Sequence, residues 1–399
     1  MKKNLIALAV AAAIIAPVSA IAADPNTDNA KTGPVVFGYA QITGSQQFGT
    51  GGPEGLVFGA HRIRLGFEGE AVPGVNYYFQ YKWDGAWQSS PLNSTFGVPA
   101  IPASASGVQD AYINFAFVPA VQLQVGKFRV PVGQERTEVG GNQLMFIQRS
   151  MNQSLGANRS AGAMFHSPNV MGTGVYYSLG IFDNHSLDGN DAFNSGNVAL
   201  PLGAGQNPVG GILTNGTGQY LLGGMVGYKV GPLLNVELSG ARASAAQYTA
   251  LPASKEIDAW NVGAKGGLMG LKYMAEYSHV SSYQGIEGLG AQDWYAALAV
   301  NLHQMTLTPD WLDIEPAFRF ERFQWTGNNN LGGGLNNYTF GVNYYVNPNN
   351  PYAARVQLNY VVPSGGAQYR ANYIAGNYAS TPANAYLYNT LALQFQAGF

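Results

Sequence analysis

VQLQVGKFRVPVGQERTEVGGNQLMFIQRSMNQSLGANRS, residues 121–160, is the stretch whose reading decides the fold. Leu123 and Val125 alternate with Gln122 and Gln124 at period two, the pattern of a strand with one apolar and one polar face. Gly126 permits a change of phase, and Pro131, which has no N–H to donate, ends the ladder. Residues 131–160 then run on without strand alternation. A segment that long inside a compact fold is either a mistaken assignment or a functional loop. Its charge favours the loop: Glu135, Arg136, Glu138, Arg149 and Arg159 crowd into it, although only 11% of the chain is charged. The expected arrangement is a loop folded into the lumen of a β-barrel, where it narrows a passage.

The composition agrees. There are 52 Gly, 24 Tyr, 19 Phe and 6 Trp, and the chain lacks cysteine. Gly-rich, aromatic-rich chains of alternating polarity suit closed barrels. After residue 22 no segment offers about 20 consecutive apolar residues, so transmembrane helices are excluded. Within lipid only helices and closed barrels satisfy every backbone group, which leaves the barrel. Residues 1–22 read as a secretory signal, with Lys2 and Lys3 as the basic start, an apolar run over 5–15, Pro17, and cleavage near Ala20 or Ala22. Without it the chain carries 18 basic and 22 acidic side chains, a balance of −4 that argues against nucleic acid as a partner. Residues 23–34 are a lead-in, and 35–399 form the barrel.

Working outward from 121–160, alternation and turn chemistry give sixteen strands. The first five fall near 35–45, 58–71, 75–87, 108–118 and 121–130. Strands six and seven, near 160–166 and 174–184, flank Pro168-Asn169. The next pairs meet at Gly231-Pro232, at Gly270, around 308–312, and at 347–351. The last strand runs from about 385 to 399. Long and short connections alternate, the pattern of an outer-membrane barrel with long external loops, and 131–160 becomes the third of these. In the last strand Leu391, Leu393, Phe395, Ala397 and Phe399 share one face. A terminal aromatic on that face resembles the signal read by the barrel-assembly machinery.

The same alternation sorts the charges. Arg62, Arg64, Glu68 and Glu70 alternate with Ile63, Leu65 and Phe67; Lys82 and Asp84 alternate with Tyr81 and Trp83. A charge facing lipid near the midplane costs about 2–4 kcal/mol for Arg or Lys, so these sets face inward. By the same reasoning Asp110, Asn114, Glu237, Lys265, Lys272, Glu276, Arg319, Glu321, Arg355 and Gln357 face inward. Side chains cannot fill a sixteen-stranded barrel, so a water-filled channel is expected. The five histidines, His61, His166, His185, His279 and His303, lack ligand spacing, so no metal or other cofactor is expected. No Ser/His pair sits in a hydrolase motif, so an enzyme is not expected either.

One further pattern carries a family resemblance. Val125, Gly126, Lys127, Phe128, Pro131, Gly133 and Glu135, followed by Phe146 and Arg149, resemble the phosphate-selective porin O/P family, as does Asp110-Ala111-Tyr112 just before. The resemblance implies a passive, homotrimeric pore in the outer membrane of a Gram-negative bacterium. Its partners would be membrane lipid and the small ions and solutes that pass through it. In that family anions bind at a constriction built by a Lys and a Ser pair on this loop, with an Arg further along. Arg136 falls where the Lys would be, and Arg149 matches the Arg. Val139, Gly140 and Gly141 stand in place of the Ser pair, and Gly N–H groups could replace the hydroxyls.

The candidate constriction is therefore Arg136, Arg149, Lys127, Glu135 and Glu138, with Arg62, Arg64 and Lys82 on the neighbouring wall. The arginines either set ion selectivity or pin the loop to wall carboxylates. The function expected is diffusion of small hydrophilic solutes and ions with a lean toward anions such as phosphate. The alternative is a general-diffusion porin that is non-selective or serves another substrate.

Overall fold

The computed structural model describes residues 34–49, 56–83, 107–183, 220–243, 256–282, 288–309, 311–327, 334–365, 386 and 388–399. Residues 1–33, the leader and nearly all of the lead-in, lie outside these residues, as do most of the long connections. Sixteen antiparallel strands close into one barrel, each pairing with its neighbours in sequence and β16 returning to β1. In order they are β1 (Val35–Phe48), β2 (Leu56–Val72), β3 (Val75–Lys82), β4 (Gly107–Phe115), β5 (Gln122–Arg129) and β6 (Arg159–Ser167). There follow β7 (Val175–Phe182), β8 (Leu221–Val230), β9 (Leu234–Ala243), β10 (Ile257–Leu268) and β11 (Leu271–Ser281). The last five are β12 (Leu289–Val300), β13 (Asp313–Gly327), β14 (Leu335–Tyr345), β15 (Ala354–Gly365) and β16 (Asn389–Gly398). Strand count and order agree with the alternation, and the ends move by a few residues. Strand β4 stops at Phe115, not 118, because residues 116–121 turn, with the Val121 N–H bonded to the Val118 carbonyl.

Polarity is inverted relative to a water-soluble protein. On β14 Tyr338, Phe340 and Val342 are exposed, while Asn337, Thr339 and Asn343 are buried. On β9 Val236 and Leu238 are exposed, while Asn235, Glu237 and Ser239 are buried. The apolar rows meet lipid and the polar rows face the interior, as period-two side chains on a closed sheet require. No helix among the described residues is long and apolar enough to cross a membrane; the strands do so.

Two local features set the wall. At Gln41/Ile42 the β1–β2 register shifts, leaving His61 as an extra residue. Such a bulge re-aims side chains, and here both His61 and Arg62 reach the interior. On β5 Gly126 takes φ +138°, and a Cβ there would lie 2.3 Å from the Ala111 carbonyl oxygen. The burial of Gln122, Gln124 and Phe128 shows that strand phase does not change at this glycine. Its role is close approach of β4 to β5.

The seam closes on the last residue. Phe399 N–H donates to the Gly38 carbonyl at 2.9 Å, and Gly38 N–H to the Phe399 carbonyl at 3.1 Å. The Phe399 ring lies over Gly38, where a Cβ would come within 3.2 Å of it. Deleting Phe399 removes both bonds, and a heat-modifiability gel of outer membranes is expected to show less folded barrel. Gly126→Val is expected to lower the melting temperature of purified protein, since forcing side-chain atoms into a packed wall costs roughly 1–3 kcal/mol.

Candidate functional site

Residues 130–158 leave β5, bond to side chains of many strands, and return to β6. The segment opens with Gly133 at φ +86° and one short helix, α1 (Gln134–Glu138), and later forms a 3₁₀ turn over Met151–Ser154. Its base is apolar: Val130, Val132, Met151, Leu155 and Ala157 pack with Phe128, Met164 and Phe182. Further along, Phe146 sits with Tyr295, Ala297, Ala299 and Ala317, and the Arg319 guanidinium lies 4.8 Å from its ring centre.

With so little regular structure, the segment's backbone polar groups need side-chain partners. Donors from the wall meet its carbonyls. Gln41 bonds Gly141 at 3.0 Å, Gln396 bonds Asn142 at 3.2 Å and Arg355 bonds Leu144 at 2.7 Å. Asn343 bonds Met145 at 3.0 Å, Arg62 bonds Ile147 at 3.2 Å and Arg319 bonds Gln148 at 3.0 Å. Carboxylates meet its N–H groups. Glu276 accepts from Gln134 and Glu135 at 2.8 and 2.6 Å, and Glu321 from Met151 at 3.2 Å. These partners lie on β1, β2, β11 and β13–β16.

The candidate residues divide. Glu135 ties the segment to itself: one carboxylate oxygen takes both the N–H and the hydroxyl of Ser150, at 3.0 and 2.9 Å. Arg149 donates to the carbonyls of Glu135 and Val139, and Arg136 to that of Gln153 at 2.7 Å. Of the two roles left open for Arg149, these bonds do not match pinning to wall carboxylates: the acceptors are carbonyls of the segment. Carbonyls suit that role because an irregular backbone leaves them without ladder partners. Glu138 instead bonds to the wall, accepting from Asn235 at 2.6 Å and pairing with Lys265 at 2.7 Å and Lys229 at 3.4 Å. Arg62 reaches the segment and also Gln41 at 2.8 Å, whereas Arg64 is buried and stands opposite Lys82 across β2–β3.

Lys127 does not join this group. It shares its parity with exposed Val125 and pairs with Ala111 and Ala161, on the row opposite Gln122, Gln124 and Phe128. The Gly140 N–H, suggested above as a substitute donor, is taken by Gln143 at 3.2 Å. Gly141 serves instead to let the segment approach the wall, since a Cβ would lie 2.5 Å from the Tyr39 hydroxyl.

Sequence reasoning left Arg129 out of the candidate group. Its guanidinium donates to the carbonyls of Arg136, Thr137 and Val139, and next to it Arg159 holds Asp110 at 2.9 Å. The signal available was their closeness to the ends of a charged loop. Burial pushes the Arg149 guanidinium below its usual range; Glu135 works against this and Arg159 with it. Burial alone would raise Glu138, but Lys265 and Lys229 outweigh it and hold its carboxyl below the usual range. Among the described residues no group of three His, Asp or Glu side chains gathers as a metal site would require.

Comparison with known proteins fits this geometry. The family model described as phosphate-selective porin O and P matches residues 41–214, which hold β2–β7 and the whole segment. Through that stretch the chain is similar to this porin family. No curated protein is a significant sequence match. Among solved structures, the anion-selective porin from Comamonas acidovorans is 12% identical, with a TM-score of 0.59, covering 92% of this chain and 99% of that one. OmpF of Salmonella typhi, in complex with daunomycin, is 14% identical, with a TM-score of 0.61 and coverage of 94% and 99%. OmpT of Vibrio cholerae in a trimer form is 9% identical, with a TM-score of 0.50 and coverage of 92% and 99%. At these identities the likeness concerns the fold alone. The family match and the barrel fold indicate a channel and imply the outer membrane of a Gram-negative bacterium.

The Glu138 anchor has a definite pH sign. A carboxyl held below its unfolded value, about 4.3 for Glu, contributes stability above that value and loses it as pH falls through the folded one. Lys265→Met removes the largest opposing charge. Acid-induced current flicker in planar bilayers is therefore expected to begin at a higher pH in Lys265→Met than in the wild type.

Proposed function

We propose that the porin conducts small hydrophilic solutes and ions passively, with a preference for anions, and that residues 131–158 are its constriction. One observation carries this reading: the arginines of the segment and the adjoining wall are fixed largely by carbonyl oxygens. Such bonds hold a guanidinium in place without cancelling its charge. Arg136, Arg149, Arg129 and Arg62 all donate this way. Arg keeps its charge at any working pH and presents a rigid fork of donors. Arg64 and Lys82 add positive charge on β2 and β3, while Glu135, Glu138 and Asp110 limit the net bias. The name of the Comamonas acidovorans porin points the same way.

The porin acts as a homotrimer in this reading, in line with the trimer form of OmpT. It reaches the outer membrane through a leader cleaved near Ala20 or Ala22 and through the assembly machinery, for which Phe399 serves as part of the signal.

The test is the reversal potential in a salt gradient, followed by phosphate titrated into chloride. At about 4 Å, a unit charge is worth ~1 kcal/mol even at the dielectric of bulk water, or about fivefold in relative permeability. Arg136→Gln with Arg149→Gln is expected to lower the anion preference by at least about that factor, with a trimer-sized barrel retained. An unchanged ion preference in the double variant would leave general diffusion as the better reading.

A further inference from the structure

We infer that Glu276 is the positioning residue that sets the constriction. The inference rests on residues 131–158 being that constriction, and it assigns to a wall carboxylate what the sequence assigns to loop arginines.

Four hydrogen bonds converge on the Glu276 carboxylate, which is buried on β11. Gln134 N–H and Asn261 Nδ2 donate to Oε2 at 2.8 and 2.9 Å. Glu135 N–H and Tyr295 Oη donate to Oε1, each at 2.6 Å. Two donors thus come from the wall and two from the first residues of α1. The carboxylate joins the barrel to the point where Glu135 and Arg136 begin. From there Glu135 fixes Ser150, and its carbonyl receives Arg149. Displacing the first two residues of α1 therefore moves both arginines proposed to act on passing ions.

The wall is shaped for this contact. Gly263 on β10 pairs directly with Glu276, and a Cβ there would lie 2.8 Å from Gln134 Oε1, 2.9 Å from Gln134 Cβ and 3.1 Å from Glu276 Cγ. Only a residue without a side chain lets α1 sit this close. Charge also matters. A carboxylate accepts on both oxygens, whereas an amide of the same shape offers one acceptor and one donor group. With glutamine in this position, one of the two backbone N–H groups would face another donor.

Glu276→Gln and Gly263→Ala disturb the same contact by different means, one by donor repulsion and one by bulk. Asp313→Asn serves as control: Asp313 is also a buried inward carboxylate, but it holds Asn301 at 2.7 Å beside a short turn. Each is measured as purified full-length protein for heat-modifiability, open-channel noise and reversal potential in a salt gradient. Both test variants are expected to form heat-modifiable barrels with increased flicker and a reversal potential shifted toward zero, while Asp313→Asn keeps wild-type current. Where Glu276→Gln fails to fold, Gly263→Ala and Tyr295→Phe, which withdraws one donor from the same carboxylate, carry the decision. Quiet current with wild-type reversal potential in the folded variants would overturn the inference, as would changes no larger than those of Asp313→Asn. A wild type without ion preference counts against the proposed selectivity, while flicker still decides the positioning role.

Discussion

A chain in hydrocarbon has no water to satisfy its N–H and C=O groups, and each one left unpaired costs several kcal/mol. The β1–β16 seam is where this porin meets that demand, because it turns a sheet with two edges into one with none. Closure also fixes which face is which. With sixteen strands in order and antiparallel, each odd–even alternation becomes inside against outside. Gln394 and Gln396 are then buried while Leu391, Leu393 and Phe395 meet lipid.

The same demand acts on residues 131–158, where no neighbouring strand can answer it. An irregular backbone must find its partners among side chains, and the wall supplies them by charge type. Guanidinium and amide groups take the carbonyls, and carboxylates take the N–H groups. A buried backbone group left without a partner costs about 1–3 kcal/mol, and bonds to charged partners are stronger than neutral ones. Charge and rigidity are therefore one property here. The groups that give the interior its field are largely those that hold the segment in place.

This explains what could be read from the sequence. Strand alternation was legible because it repeats and because each error of phase would put a charge into lipid. The segment was legible as an absence of alternation with concentrated charge. Lys127 was misread because its motif neighbours Phe128 and Glu135 carry the family pattern, while its own parity follows Val125 outward. The partners of Arg136, Arg149 and Arg129 were hidden for a different reason: carbonyl acceptors have no residue identity, so no spacing announces them. Glu276 looked like any other inward glutamate, since the N–H groups it receives lie far away in the chain. The bulge that turns His61 and Arg62 inward together shows only as a register shift between two strands.

The distribution of amides follows from the same physics. Against the segment, along β14–β16 and β1, the wall carries two hydrogen-bonded groups of neutral side chains. Gln41 bonds Gln396 at 2.7 Å, Thr43 bonds Gln394 at 3.1 Å, Gln394 bonds Gln357 at 2.9 Å, and Gln357 bonds Asn343 at 2.9 Å. The segment shields this region from water, and an unpaired charge there would carry a desolvation cost that no solvent offsets. An amide avoids that cost yet still offers a donor to one neighbour and an acceptor to another. Of the charges nearby, Arg319 pairs with Glu321 and Lys272 with Glu315, whereas Arg355 donates to Gln396 and to the Leu144 carbonyl. Glutamine and asparagine therefore dominate the wall that meets the segment along β14–β16 and β1. The sequence records this division in its Gln- and Asn-rich late strands against the Arg- and Glu-bearing β2.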